Sequence, residues 1–134
     1  VRGVCCLRPG VPGISETITV RSIVGRYLEH SRIYWFQNGG APKVFIGSAD
    51  LMERNLDRRV EVLCPIHDRE LADHLATLVL PALLGDATRA HGLRADGSYV
   101  RIEPESDQVP IDSQEQLLEW YAAAQRAIEA GSGR

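Results

Sequence analysis

The chain has 134 residues, which is about one domain with a real core, and its composition is ordinary for a globular protein. No apolar run approaches the roughly 20 residues that a membrane span needs, and the chain starts at Val1 without a signal or transit segment, so we expect a piece of a longer protein. The net charge is only −3, and three cysteines, two of them adjacent, exclude a disulfide framework and indicate a reducing compartment.

The first elements in chain order are predicted to be strands and loops. Arg2–Leu7 predicts a short buried strand, and the segment Arg8–Gly13 predicts a loop because Pro-Gly breakers lie close together. Ile18–Val24 is rich in β-branched residues and predicts a strand, although part of it also fits a helical face.

A β-hairpin and a further strand are expected next. Ser31–Gln37 and Lys43–Gly47 are apolar runs on either side of Asn38-Gly39-Gly40, which is typical of a hairpin turn. Arg59–Cys64 predicts another apolar strand, which Pro65 stops.

Helices dominate the second half. Asp68 is expected to cap a helix through Leu71 and Val79 that Pro81 ends or bends. A short strand, a polar loop and a second helix follow, the helix opened by a capping box of Ser113 with Gln116. The predicted elements after Pro81 are the strand Ser98–Ile102, the loop Glu103–Pro110, the helix from Ser113 and a frayed tail at 131–134. Strands followed by covering helices predict an α/β fold.

The residues best suited to chemistry lie around the hairpin. His30 stands at the edge of its first strand, Ser48 follows its second, and arginines including Arg58 and Arg59 come shortly after. A histidine can move a proton near neutral pH, and arginines and turn amides can neutralise a phosphoryl group. This combination predicts a site for phosphate oxygens.

Each of these residues also has a structural interpretation. His30 could be a structural histidine bonded to a backbone carbonyl, and Ser48 could serve only to shape the turn. Arg58 is expected in a surface ion pair with Asp57 or Glu61. The aromatic run Tyr34–Phe36 could stack a base, but alternating burial in a core strand is favoured.

The cysteines offer a weak metal hypothesis. Cys5, Cys6, Cys64 and His67 match no zinc spacing, so buried structural thiols are favoured and no metal site is predicted.

Charge is divided unevenly between the halves. Residues 1–66 hold nine Lys/Arg and six Asp/Glu, a net +3, whereas residues 67–134 hold six Arg and twelve Asp/Glu, a net −6. The basic half contains His30, so we expect a polyanion to bind there, with an uneven solvated surface as the alternative.

Four segments in order carry a resemblance to a known family. They are Val1-Arg2-Gly3-Val4-Cys5-Cys6-Leu7-Arg8-Pro9-Gly10, Val20–Arg32, Gly47-Ser48-Ala49-Asp50 and Arg54–Glu61. Together they resemble the last catalytic domain of bacterial polyphosphate kinase of the histidine-phosphorylated type. The similarity is dense over residues 1–66 and weaker to the C-terminus.

The resemblance implies a phospholipase D-like α/β fold, a mixed sheet flanked by helices, with residues 1–134 as a single C-terminal catalytic domain. The wider motif of that fold family is histidine, any residue, lysine, four residues and aspartate, followed later by Gly-Ser-x-Asn. His30 fits the histidine, but Arg32 stands at the lysine position, Gln37 at the aspartate position and Asp50 at the asparagine position. These departures argue against a phosphodiesterase and favour the kinase branch.

The resemblance also implies roles. The full enzyme would transfer the terminal phosphate of ATP reversibly to polyphosphate, through a phosphohistidine in a preceding domain. His30 resembles the second essential histidine, and Arg2 and Arg59 resemble arginines that contact nucleotide phosphates; ends of adjacent parallel strands would bring those arginines together. The Mg²⁺ ligands would lie outside this chain. Ser48 stays a weaker candidate for binding phosphate, based on its hydroxyl and the turn amides rather than on the resemblance.

The expected partners are ATP or ADP, polyphosphate, the preceding domains and, in the full enzyme, identical subunits, with no nucleic acid and no membrane span. The expected location is the cytoplasm or the periphery of the inner membrane. Two alternatives stay open: a phospholipase D-like phosphodiesterase or transferase fragment, and a non-catalytic polyanion-binding module.

Overall fold

The computed structural model describes residues 5–104 and 109–131. The chain divides into two compact units, the first comprising Val1–Tyr27 and Ala82–Arg134 and the second comprising Leu28–Pro81. The strands are β1 Arg21–Ile23, β2 Arg32–Phe36, β3 Lys43–Gly47, β4 Leu63–Pro65, β5 Ala90–Leu93 and β6 Tyr99–Arg101. The helices are α1 Glu53–Asp57, α2 Arg69–His74, α3 Leu80–Leu84 and α4 Ser113–Gly131, with a π-helical turn Leu75–Val79 between α2 and α3.

Each unit has its own three-stranded antiparallel sheet, ordered β1-β5-β6 in the first unit and β2-β3-β4 in the second. The α/β class is therefore confirmed, with every described strand pair antiparallel. None of the helices in the described ranges is long and apolar enough to cross a membrane.

The predicted hairpin is confirmed. β2 and β3 pair over their full lengths, from Arg32 opposite Gly47 to Phe36 opposite Lys43. Their connection is a single 3₁₀ turn, Asn38–Gly40, whose three residues all have positive φ. Asparagine and glycine are the residues that adopt this backbone conformation at least cost, which is why the sequence signal was strong.

The third strand of this sheet differs from its prediction. β4 begins at Leu63 instead of Arg59 and includes Pro65, and all three of its residues are exposed. Among the described strands it pairs with β3 alone, so it is an edge strand, the position at which a proline without an N–H is tolerated. The predicted strand Arg59–Cys64 is thus confirmed only for Leu63 and Cys64, and Pro65 does not stop it.

The first helix of the second half begins as predicted. The Asp68 carboxylate accepts the Leu71 N–H at 3.0 Å, which is an N-cap bond. Helical structure does not end at Pro81 but continues to Leu84, and the π-helical turn immediately precedes α3. A wider turn there accommodates a proline ring that would meet the carbonyl of Thr77 in a regular helix.

The first unit corrects one further prediction and adds one strand that was not predicted. Arg2 lies outside the described residues, and Cys5–Leu7 form no strand and are not buried. β5 was not predicted, because Ala90–Leu93 contains no β-branched residue. The loop Arg8–Gly13 and a strand within Ser98–Ile102 are confirmed.

A buried carboxylate organises the start of α4. Asp86 is fully buried and accepts the N–H groups of Thr88, Arg89 and Ser113 and the Ser113 hydroxyl, at 2.7–3.0 Å. The cap of α4 is therefore Asp112, whose carboxylate accepts the Glu115 N–H at 3.3 Å. The predicted capping box on Ser113 was wrong by one residue because that side chain is committed to Asp86.

Candidate functional site

The register of the second unit's sheet brings the predicted site residues to one end. Gly47 lies opposite Arg32 on β2 and opposite Leu63 on β4. The residues before β2, after β3 and before β4 therefore meet at the same end of the strands. We call this end of the sheet the loop end; it comprises His30–Ser31, Ser48–Asp50 and Arg59–Val62.

Gly47 lets these segments approach closely. A Cβ atom at this position would lie 2.9 Å from the Val62 carbonyl oxygen and 3.1 Å from Leu63 Cδ1. The backbone pairs Ser48 N with Val62 O at 3.1 Å, and Val62 N donates to Ser48 Oγ at 3.2 Å. The glycine-serine pair thus fixes Ser48 against the chain that leads into β4.

Arg32 ties His30 to Asp50. Its Nε donates to Asp50 Oδ1 at 3.0 Å, and its Nη1 donates to the His30 carbonyl oxygen. The guanidinium is half-buried, as is Asp50. Arg32 therefore braces the backbone of His30, whose side chain is exposed.

A second network is centred on Glu61. Ser48 Oγ donates to Glu61 Oε2 at 2.5 Å and Asn55 Nδ2 donates to Glu61 Oε1 at 2.7 Å. Each carboxylate oxygen thus has its own donor. Charge-assisted hydrogen bonds of this kind are short and strong, so they fix the carboxylate in one orientation.

These contacts keep Glu61 ionised. The hydrogen bond from Ser48 is the largest reason that the pKa of Glu61 lies below its ordinary value of 4.5, and the bond from Asn55 is the next. Burial opposes them, and the charge of Arg59 assists them. The loop end therefore carries a fixed negative charge beside Arg59.

Arg59 lies in a bend before β4, not at a strand end as predicted. Its Nε is 3.8 Å from Glu61 Oε1, and its side chain is 58% exposed. The guanidinium is thus held on one side and open to solvent on the other. Arg58, in contrast, pairs with Glu53 at 3.4 Å. It lies in a surface ion pair as expected, but the predicted partners Asp57 and Glu61 were wrong.

The structure thus brings His30, Ser48 and Arg59 to one sheet end, while Arg2 lies outside the described residues. Sequence reasoning assigned no role to Asn55 or to Glu61, apart from a surface pair for the latter. Asn55 is buried in α1, and no spacing rule marks a polar residue whose partner lies six positions away in the irregular segment before β4.

Two other sequence predictions were wrong. Trp35 and Phe36 are both exposed, so burial does not alternate along β2 as expected of a core strand. Cys6 and Cys64 are exposed free thiols and not buried structural ones. Within residues 5–104 and 109–131, no group of three or more His, Cys, Asp or Glu side chains could hold a metal ion.

The second unit also contains a groove of about 830 Å³ between β3 and α2. Trp35, Lys43, Phe45 and Arg69 contribute to its lining. Lys43 lies at the turn end of β3, roughly 14 Å from the loop end for a five-residue strand. The groove therefore does not coincide with the loop end.

Comparison with known proteins gives consistent matches. The family model "Polyphosphate kinase C-terminal domain 2" matches residues 1–114. The chain is 54% identical to the polyphosphate kinase of Pseudomonas aeruginosa over 92% of this chain and 18% of that protein, and 55% identical to that of Xylella fastidiosa over 89% and 17%. The chain thus spans less than a fifth of the length of these curated relatives. The crystal structure of polyphosphate kinase from Porphyromonas gingivalis superposes with a TM-score of 0.84 and 36% identity, over 93% of this chain and 19% of that chain. This match agrees with the fold expected from the resemblance.

Proposed function

The chain belongs to the polyphosphate kinase C-terminal domain 2 family, and from this premise we propose that it is the C-terminal catalytic part of a polyphosphate kinase. The full enzyme transfers the terminal phosphate of ATP reversibly to polyphosphate. The observation that carries the proposal is the loop end, where the partly exposed side chain of Arg59 and the exposed His30 lie at the same end of the sheet.

Phosphoryl transfer depends on positioning and on neutralising charge. Arg59 presents a planar donor fork to solvent, a geometry that matches two phosphate oxygens. We propose the same role for Arg2 on the strength of the resemblance, and a weaker one for Ser48, whose hydroxyl already donates to Glu61.

His30 is proposed to transfer a proton to or from a phosphoryl oxygen, or to stabilise its charge. The phosphohistidine intermediate would form in the preceding domain, so the covalent step lies outside this chain. The loop end does not suit a Mg²⁺ ion, because both oxygens of Glu61 already accept hydrogen bonds and Asp50 is paired with Arg32. We therefore place the metal ligands elsewhere in the enzyme.

We propose that the full enzyme consists of identical subunits and lies in the cytoplasm, with any membrane association being peripheral to the inner membrane.

We expect residues 1–134 alone to show no kinase turnover. The proposed mechanism needs a second histidine from the preceding domain, so a single half-site cannot complete the transfer. Synthesis of polyphosphate from ATP by the purified chain is the measurement. Turnover at the rate of a normal kinase would refute the half-site mechanism.

Replacing Arg59 with alanine in a full-length enzyme that carries this domain should weaken ATP use by about 10- to 100-fold in kcat/KM, since one charged phosphate contact is lost. The melting temperature should change little, because substitutions at exposed positions usually alter stability by less than about 0.5 kcal/mol. Arg2→Ala should behave alike.

Arg58→Ala is the matched control. Arg58 is the adjacent arginine and also has a carboxylate partner, Glu53, but that pair is highly exposed. Its loss should leave kcat/KM near the wild-type value. Equal losses from Arg58→Ala and Arg59→Ala, or a collapse in stability with normal activity for Arg59→Ala, would contradict the assignment.

Two other functions are less well supported. A phospholipase D-like phosphodiesterase is disfavoured because Arg32 stands at the lysine position of its motif and Gln37 at the aspartate position. A non-catalytic polyanion-binding module would bind polyphosphate and DNA alike. A mobility-shift comparison of the two polymers distinguishes it, because the kinase domain should prefer polyphosphate.

A further inference from the structure

Helix α1 buries a polar side chain and exposes an apolar one, the reverse of what hydrophobic packing alone would produce. Asn55 is 3% exposed, whereas its neighbour Leu56 is 62% exposed. Among the described residues of this helix, Asn55 alone is buried. A short helix that exposes its leucine and buries its amide gains little from hydrophobic burial, so a specific polar contact must explain the arrangement.

That contact is the bond from Asn55 Nδ2 to Glu61 Oε1 at 2.7 Å. The other atom of the amide, Asn55 Oδ1, is buried without a hydrogen-bond partner among the described residues. An unpaired buried acceptor costs free energy. Any favourable contribution of this amide must therefore come from its N–H group, which donates to Glu61.

Glu61 links Asn55 to Arg59. The oxygen that accepts the bond from Asn55 is also the one that lies 3.8 Å from Arg59 Nε. The Glu61 side chain is only 15% exposed and the Arg59 side chain is 58% exposed. A buried amide, a fixed carboxylate and an open guanidinium thus follow one another from the interior to the surface.

We propose that Asn55 is a positioning residue for Arg59, acting by holding the Glu61 carboxylate that orients the guanidinium. The proposal rests on the proposed role of Arg59 in binding phosphate. Without the amide, Glu61 would keep only the bond from Ser48 and could rotate, and Arg59 would spend less time in the orientation that meets phosphate. The expected effect is on substrate binding and not on the chemical step.

The test is a double-mutant cycle in a full-length enzyme that carries this domain, with KM for ATP and kcat measured separately. Asn55→Asp preserves the shape but replaces the donor with a second acceptor beside Glu61. We expect it to raise KM about tenfold with a smaller change in kcat. In an Arg59→Ala background, Asn55→Asp should have no further effect on KM, because the group that it positions is gone.

Two further variants keep the test decisive. Glu61→Gln removes the charge and retains the shape, so it should reproduce the rise in KM if Asn55→Asp does not fold. Glu53→Gln breaks the neighbouring pair with Arg58 and should leave KM unchanged.

The outcomes separate the two proposals. If Arg59→Ala itself leaves kcat/KM unchanged, the phosphate role of Arg59 fails. The positioning role fails if Asn55→Asp or Glu61→Gln, added to Arg59→Ala, raises KM further by the same factor as in the wild-type background. A lowered melting temperature with a normal KM in both single variants would make Asn55 purely structural and would also overturn the proposal.

Discussion

Replacing His30 with alanine in a full-length enzyme that carries this domain is expected to abolish net phosphate transfer. Loss of a group that moves a proton in the transition state typically lowers the rate by about 10²- to 10⁴-fold. The variant should fold, because the His30 side chain is exposed and its contact with Arg32 is through the backbone carbonyl, which alanine retains. Polyphosphate synthesis and the melting temperature are the measurements.

The position of the phosphate label separates the possible roles of His30. After brief exposure of the wild-type enzyme to γ-labelled ATP, acid-labile phosphate should map to the other half's histidine and not to the peptide that contains His30. Stable label on the His30 peptide would reverse the assignment. Full activity of His30→Ala would show that His30 takes no part in phosphate transfer and would favour the structural interpretation of this residue.

The second large effect is expected on stability, from Asp86→Asn. Two carboxylate oxygens of Asp86 accept four hydrogen bonds from Thr88, Arg89 and Ser113 in a fully buried position. An asparagine replaces one oxygen with an NH₂ group that faces donors. We expect a loss of about 2–4 kcal/mol in the free energy of unfolding, measured by urea denaturation at neutral pH.

This difference should depend on pH in a definite direction. Burial alone would raise the pKa of Asp86, but the hydrogen bonds from Ser113, Arg89 and Thr88 outweigh it and hold the pKa below the ordinary 3.8. The unfolded chain therefore binds the proton first as pH falls. The stabilisation is fully present above that ordinary value and is lost below it, so wild type and Asp86→Asn should converge in stability at low pH.

Asp96 provides the control, because it also accepts hydrogen bonds from Ser98 but lies in an exposed turn. Asp96→Asn should change stability little. An Asp86→Asn protein as stable as the wild type, or a difference that grows as pH falls, would show that the buried network is not what stabilises the start of α4.

Local signals in the sequence predicted local structure well. The turn at Asn38–Gly40 requires positive φ, and its residue types indicate this directly, so the hairpin and its register followed. Asp68 was recognisable as a cap for the same reason. The α/β class followed from the order of such elements.

Features that depend on contacts distant in sequence were not predictable. β5 forms because Ala90–Leu93 lies between two partner strands, not because its residues favour strands. Ser113 looked like a cap until the structure placed Asp86 beside it. The candidate site shows the same difference between local and distant signals. His30, Ser48 and Arg59 were identifiable by residue type. Asn55 was not, because its proposed role depends on a hydrogen bond to Glu61 that forms only in the folded chain.

The most direct test of a phosphate site at the loop end is an NMR titration of the 134-residue chain with tripolyphosphate, following backbone amides and arginine side-chain Nε–H signals. We expect the largest shifts at Ser48, Arg59 and Glu61, including the Arg59 Nε–H, with Arg58 little affected. Shifts confined to the first unit, or spread evenly over all arginines, would contradict a specific phosphate site at this end of the sheet.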